Sequence, residues 1–185
     1  MGWKIAALYT ISCLTGAPIS DPAALVRAKL QSIEKGTVPR GSTVIFTPAE
    51  LTTYARSVLP ATVPQGVRDP RLELGSGTAT GYALIDFLKL QQNTETPWLI
   101  AKLIQGERPV KVTARIESAR GRATVFLQRV EISGIGVSGY TLQFLIDNFF
   151  RPLYPNAKIN QPFDLAACVD HLEVSPAAAR VIIRK

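Results

Sequence analysis

The chain has 185 residues, of which 46% are hydrophobic and 19% charged, a composition that fits one globular domain and excludes a disordered or wholly membrane-embedded chain. Its net charge of +7 is consistent with contact with acidic lipid headgroups or with solubility alone. The basic residues form no runs, which argues against nucleic-acid binding. Cys13, Cys168 and the single histidine, His171, offer neither metal-ligand spacing nor a disulfide framework, so no metal and no cofactor is predicted.

The first seventeen residues have the layout of a short signal peptide. Lys4 is their only charged residue, Ile5 to Leu14 are mostly apolar, and small residues from Thr15 to Ala17 follow. The stretch is too short to cross a bilayer as a helix. We therefore expect residues 1–17 to be a targeting segment of an exported, periplasmic or envelope protein, and residues 18–185 to be a single domain. The alternative is an ordinary apolar strand or helix in a cytoplasmic protein.

Two helices and a strand are predicted next. Ser20-Asp21-Pro22 can begin an amphipathic helix that Gly36 ends, and the β-branched run Thr43–Phe46 predicts a short strand. The sequence Thr47-Pro48-Ala49-Glu50 is a capping box with proline at the first helical position, and it predicts a second helix. Pro60 is expected to end that helix.

From Val67 onward the apolar period changes from 3.6 to 2, which indicates strands. We predict a strand to Leu74, a turn at Gly75–Gly77 and a long return strand, Thr78–Leu90, that bends near Gly81. The later predicted elements are a helix around Trp98–Ile104, strands at Val110–Glu117 and Arg122–Ile132, and a final hairpin of Cys168–Val174 and Ala179–Arg184. The apolar phase slips between Leu127 and Val130, which predicts a bulge or a change of sheet face.

The stretch from Ser138 to Arg151 predicts a helix that is unusually apolar. Leu142, Leu145 and Phe149 follow the spacing of one helical face, and further apolar side chains widen that face. Such a helix is either buried in a core or forms one wall of an apolar groove. In the second case we expect those three residues to face the groove, with three residues of the shorter helix opposite: Trp98, Leu99 and Leu103.

Several short motifs accompany this layout: Phe46-Thr47-Pro48-Ala49-Glu50-Leu51, Val67-Arg68-Asp69 and Pro162-Phe163-Asp164-Leu165. Together they resemble the bacterial lipid-binding proteins of the LmeA and YpmS type, which are similar to tubular lipid-binding (TULIP-like) domains. The resemblance covers about residues 20–185. It implies an α+β fold in which long, curved antiparallel strands wrap around helices and enclose an apolar groove for acyl chains.

Three functional hypotheses follow. The first is an exported protein that binds or transfers a phospholipid or fatty acid and makes peripheral contact with an anionic membrane. In this hypothesis, basic side chains at the groove mouth attract the headgroups: Lys102, Arg108, Lys111 and Arg151. The second is a structural or interaction module of the cell envelope with a dry core. The third, an enzyme, is not predicted, because the sequence contains no phosphate-binding loop, nucleophile elbow or metal-ligand spacing. Glu73, Glu117, Glu131 and His171 alternate with apolar strand residues, so we expect them on solvated faces.

Overall fold

The computed structural model describes residues 22–62, 66–90 and 96–185. The predicted targeting segment, residues 1–17, lies outside the described residues. Within the described ranges, no helix is both long enough and apolar enough to cross a membrane.

The secondary structure alternates short helices with antiparallel strands. The helices are α1 Pro22–Glu34, α2 Pro48–Thr62, α3 Phe87–Leu90, α4 Trp98–Ile104 and α5 Gly139–Leu145, and α5 continues into a π-helical turn, Ile146–Phe150. The strands are β1 Thr43–Phe46, β2 Val67–Leu74, β3 Thr78–Asp86, β4 Glu107–Ala119, β5 Arg122–Ile132, β6 Ile135–Val137, β7 Pro162–Asp164, β8 Val169–Ser175 and β9 Ala178–Ile183.

The strands form two antiparallel sheets. The large sheet has the order β2-β3-β4-β5-β6, and β7 also pairs with β5. The small sheet has the order β1-β9-β8, so its first strand comes from the beginning of the chain and the other two from the end. The protein is therefore an α+β protein dominated by antiparallel sheet, which agrees with the predicted class at this coarse level.

Each sheet has its own apolar core. The core beside the large sheet contains Phe87, Ile104, Ile132 and Phe149, among others. The core of the small sheet packs β1, β8 and β9 against α1 and α2, and its centre is the fully buried Val26. Because α2 also packs along β2, this helix connects the two cores.

The hairpin turns of the large sheet are bonded to β8 of the small sheet. The amide of Gly77 donates to the carbonyl of Val174 at 2.9 Å, and the amide of Gly121 donates to the carbonyl of Asp170 at 2.6 Å. The Ser118 hydroxyl both donates to the carbonyl of Leu172 and accepts from its amide. Gly77 and Gly121 have positive φ, a conformation that glycine adopts without steric cost.

The predicted capping box of α2 is confirmed. The Thr47 hydroxyl accepts from the Glu50 amide at 3.2 Å, and the Glu50 carboxylate accepts from the Thr47 amide at 2.8 Å. Lys29 of α1 donates to the same carboxylate at 2.6 Å, and this bond, together with the Thr47 amide, holds the pKa of Glu50 below its usual value. One side chain thus fixes both the start of α2 and its contact with α1.

Two predicted boundaries are wrong. The return strand ends at Asp86, and the last part of the predicted Thr78–Leu90 strand is the helix α3. In a strand, Phe87 and Leu90 would point to opposite faces, whereas one helical turn brings both against the core of the large sheet. The helix α2 continues past Pro60 to Thr62, because a proline in the last turn removes only one backbone hydrogen bond close to the end of the helix.

Thr47→Ala should lower the free energy of unfolding by about 1 kcal/mol, because it leaves the Glu50 amide without its side-chain acceptor. Urea denaturation monitored by circular dichroism measures the effect. Thr47→Ser is the matched control, since it keeps the hydroxyl and should stay close to wild type. An unchanged midpoint for the alanine variant would show that this cap does not stabilise α2.

Candidate functional site

A cavity of about 500 Å³ lies between the large sheet and the helices that cover it. It communicates with solvent. The floor is formed by one face of β2, β3, β4 and β5, and the roof by α5, the π-helical turn and α2. The floor residues are mostly at alternate strand positions: Val67, Pro70 and Leu72 on β2, Gly81, Ala83 and Ile85 on β3, Val110, Val112 and Ala114 on β4, and Val125, Leu127, Val130 and Ile132 on β5.

A β-bulge keeps β5 apolar on the cavity side along its length. The register between β4 and β5 shifts by one residue at Gln128. Val130 and Ile132 line the cavity on one side of this residue, and Val125 and Leu127 line it on the other. Without the extra residue, strict alternation would turn one of these pairs to the opposite face. The predicted slip in the apolar phase is therefore confirmed as a bulge.

A second irregularity has the same effect on β2. The register with β3 shifts between Arg68 and Arg71, where Asp69 has a φ of 49°. Val67 before the shift and Leu72 after it both line the cavity, although five positions apart they would face opposite sides of a regular strand. Both outer strands of the floor thus use an extra residue to keep their apolar side chains on the cavity face.

The roof is widened by the π-helical turn. The amide of Arg151 bonds to the carbonyl of Ile146, five residues earlier, at 2.8 Å. Neighbouring residues therefore reach the cavity in pairs, Leu145 with Ile146 and Phe149 with Phe150. The Phe149 ring packs edge-to-face on Phe87 of α3, with ring centroids 5.3 Å apart.

Small residues in the floor leave the space open. A Cβ atom placed on Gly81 would meet no heavy atom within 4 Å, and Gly81 does not have a positive φ. Its strand partners Leu72 and Val112 both line the cavity, so a side chain at position 81 would extend into it. The backbone at position 81 would therefore tolerate a larger residue, and glycine there leaves space in the cavity.

The structure places the predicted groove residues in two groups. Leu142, Leu145 and Phe149 line the cavity. Trp98 and Leu99 are 72% and 63% exposed on the outer side of α4. Leu103 packs on the core of the large sheet but is not part of the cavity wall. The expected opposite wall is therefore wrong, because these three residues do not line the cavity and the sheet itself lies opposite α5.

The sequence does not predict which residues form the floor, although their alternating pattern is visible in it. Val110, Val112 and Ala114 alternate with polar residues, which predicts a half-buried strand but does not say what covers its apolar face. The contributions of Ala55 and Leu59 from α2 depend on how that helix packs on β2, and local pattern does not determine this packing.

Charged side chains are almost absent from the cavity wall. Among the described lining residues, Arg71 is the only one with a charged side chain. Its guanidinium lies 4.4 Å from the ring centroid of Tyr82 and 3.3 Å from the carboxylate of Glu73, which are on the outer face of the sheet. The wall is therefore apolar in chemical character.

The predicted headgroup cations occupy four different settings. Lys111 lies on the outer face of the sheet, 3.7 Å from Glu131. Arg151 is paired with Asp147 at 2.9 Å, one helical turn away. Lys102 is exposed on α4, whereas Arg108 is half-buried on β4. The structure thus does not bring the four side chains together into one basic cluster.

In the part of the chain that the structure describes, the remaining titratable residues form no recognisable catalytic arrangement. His171 Nδ1 is 2.7 Å from Asp170 and Nε2 is 3.5 Å from Glu173, and these contacts, the first above all, raise the pKa of the imidazole above its usual value. Glu73 and Glu117 are exposed as predicted, whereas Glu131, between Lys111 and Arg129, and His171 are half-buried. Within the described residues, no three His, Cys, Asp or Glu side chains are placed to hold a metal ion.

Comparison of the chain with protein-family models, with curated proteins and with solved structures finds no match. The resemblance to lipid-binding proteins of the LmeA and YpmS type therefore stays a prediction from the sequence.

Gly81→Leu should not destabilise the protein, and we expect it to raise the free energy of unfolding by about 1 kcal/mol or more. Glycine is unfavourable inside a strand, and the new side chain would bury apolar surface in open space. Gly136→Leu on β6 is the matched control, because its Cβ also meets no atom but lies outside the cavity wall. Urea denaturation compares the two. A loss of stability found only at position 81 would show that the cavity is closed in solution.

Proposed function

We propose that the protein binds a lipid, or another molecule with a long apolar chain, inside this cavity, and that it stores or transfers that ligand without chemical conversion. The observation that carries the proposal is a cavity of about 500 Å³ with an almost entirely apolar wall. Small-ligand sites in proteins have volumes of about 300–1,000 Å³ and combine apolar walls with few polar groups.

An apolar space of this size is unfavourable for the protein when it is empty or holds only water. Protein interiors are packed as densely as organic crystals and contain few voids larger than a water molecule. A buried water needs two to four polar partners, which this wall does not provide along most of its length. An apolar chain needs no such partners, so it fits the chemistry of the cavity better than water does.

The hydrophobic effect alone gives such a site a useful affinity. Each buried methylene contributes about 0.8 kcal/mol, so about ten of them supply roughly the 8 kcal/mol that correspond to a micromolar dissociation constant. The loss of translational and chain entropy on binding lowers this value, so a longer chain is needed for the same affinity. Acyl chains of ordinary membrane lipids meet this requirement.

The proposal extends to the tubular lipid-binding type of domain. Its support is the combination of long antiparallel strands in β4 and β5, the bulges in β2 and β5, and one apolar helix that covers the cavity side of the sheet. Export to the periplasm or cell envelope, and peripheral contact with an anionic membrane, belong to the same proposal. Their support is the sequence of residues 1–17 and the net charge of +7.

The competing hypothesis, an envelope module with a dry core, makes a different physical demand. It requires side chains to fill the space between the large sheet and α5, and the cavity there is evidence against such packing. Gly81 and Ala83 in the floor are also smaller than a filled core would require.

Ligand binding is tested with the full-length protein and a fluorescent fatty acid, in parallel with native mass spectrometry for lipids that co-purify. We expect a lipid-sized mass on wild type and saturable binding. Gly81→Leu should weaken that binding by about tenfold or more because its side chain occupies part of the cavity. Gly136→Leu should bind as wild type does, since it makes the same change outside the wall.

Two results would contradict the proposal. The first is a wild-type protein that carries no lipid and binds no fatty acid. The second is equal binding by wild type and by a folded Gly81→Leu variant, which would place the ligand on another surface.

A further inference from the structure

The basic residues of the large sheet are paired with acids, with one exception. In β2, β4 and β5 the pairs are Arg68–Glu107, Arg71–Glu73, Lys111–Glu131, Arg115–Glu117, Arg122–Asp164 and Arg129–Glu131. Arg108 on β4 is the remaining cation of these strands, and within the described residues it has no acidic partner. An unpaired arginine among so many pairs requires an explanation of its own.

Arg108 also lies on the cavity side of its strand. Side chains alternate along β4, so Arg108 shares a face with Val110 and Val112, which line the cavity. Its cross-strand partner on β3 is Ile85, another lining residue. Arg108 is therefore next to the row of side chains that forms one end of the floor, about 7 Å along the strand from Val110.

The guanidinium of Arg108 is incompletely satisfied. Its Nε atom is buried, and no group of the described residues accepts a hydrogen bond from it. The guanidinium keeps its positive charge in proteins, so its buried donor still needs an acceptor. A buried donor without an acceptor is unfavourable and rare in native proteins, so an acceptor from outside the described residues would stabilise it.

We infer that Arg108 binds the anionic group, a carboxylate or a phosphate, of the molecule whose apolar chain occupies the cavity. This inference rests on the proposed function. The planar guanidinium matches either oxyanion with two parallel hydrogen bonds, and such charge-assisted bonds are stronger than neutral ones. The apolar wall then supplies affinity for the chain, and Arg108 selects anionic over neutral ligands.

The test compares ligands that share one chain and differ in the head. Oleic acid carries a carboxylate, oleoyl lysophosphatidic acid a phosphate, and oleyl alcohol no charge. Each is titrated at pH 8 into wild type, Arg108→Gln and Arg108→Met, the last of which keeps an apolar stem. Lys111→Gln is the matched control, because Lys111 is on the same strand but on the outer face.

We expect wild type to prefer at least one anionic ligand over oleyl alcohol by about tenfold or more, in keeping with a charge-assisted hydrogen bond. Both Arg108 variants should lose that preference and still bind oleyl alcohol as wild type does. The lysine control should keep the preference. The anionic ligand whose affinity falls more in the Arg108 variants shows whether the preferred headgroup is a carboxylate or a phosphate.

The inference is overturned if either Arg108 variant, folded by circular dichroism, binds both anionic ligands as tightly as wild type does. It is also overturned if the oleyl alcohol affinity falls equally, since Arg108 would then shape the cavity rather than bind a charge. Failure of the proposed function gives a different result, in which wild type binds none of the three ligands. A third result would separate the two ideas: Gly81→Leu blocks binding of oleyl alcohol, but the Arg108 variants bind all three ligands as wild type does. That result would support the proposed function and contradict only the role of Arg108.

Discussion

One face of the large sheet stays apolar across four strands, and the rest of the molecule is arranged around that face. Strict alternation would interrupt it in β2 and in β5, and the extra residues near Asp69 and at Gln128 prevent this. An apolar face must be covered, and α5 with the π-helical turn covers it incompletely because small residues such as Gly81 lie beneath. The cavity is thus the space between a continuous apolar floor and a helix that does not reach it everywhere.

The opposite face of the sheet carries charged and aromatic side chains. It is exposed to solvent, and its ion pairs and stacked rings cover the backbone with charge of both signs. The Arg71 guanidinium lies over the Tyr82 ring, and that of Arg115 lies 5.0 Å from the ring centroid of Phe126. Exposed ion pairs of this kind contribute little to stability individually, but they keep the outer face from being a second apolar surface prone to aggregation. Apolar and charged residues are therefore separated by the sheet itself, and Arg108 is notable as a charge on the apolar side.

Local signals predicted much of the fold and only half of the candidate site. The capping box at Thr47 and the bulge before Val130 are determined by residues close together in sequence, so both could be predicted from the sequence. The prediction failed where packing overrides pattern: at Phe87, which a helical turn carries into the core, and at Trp98, which lies exposed on the outer side of its helix. The wide apolar helix was a correct sign of the cavity roof. Its floor depends on which strands lie opposite that helix, and this information is distributed over the whole chain.

The pairing of β1 with β9 has a consequence for the order of folding. The strands β2 to β6 each pair with their neighbour in sequence, so this meander can assemble from contacts that are local along the chain. Thr43 of β1, in contrast, pairs with Ile182, which follows the whole meander in sequence. Bringing two such distant segments together costs loop-closure entropy, and only the finished contacts repay it. The apolar sides of α1 and β1 therefore have no sheet to cover them until β9 is in place, so the small sheet cannot form from local contacts alone.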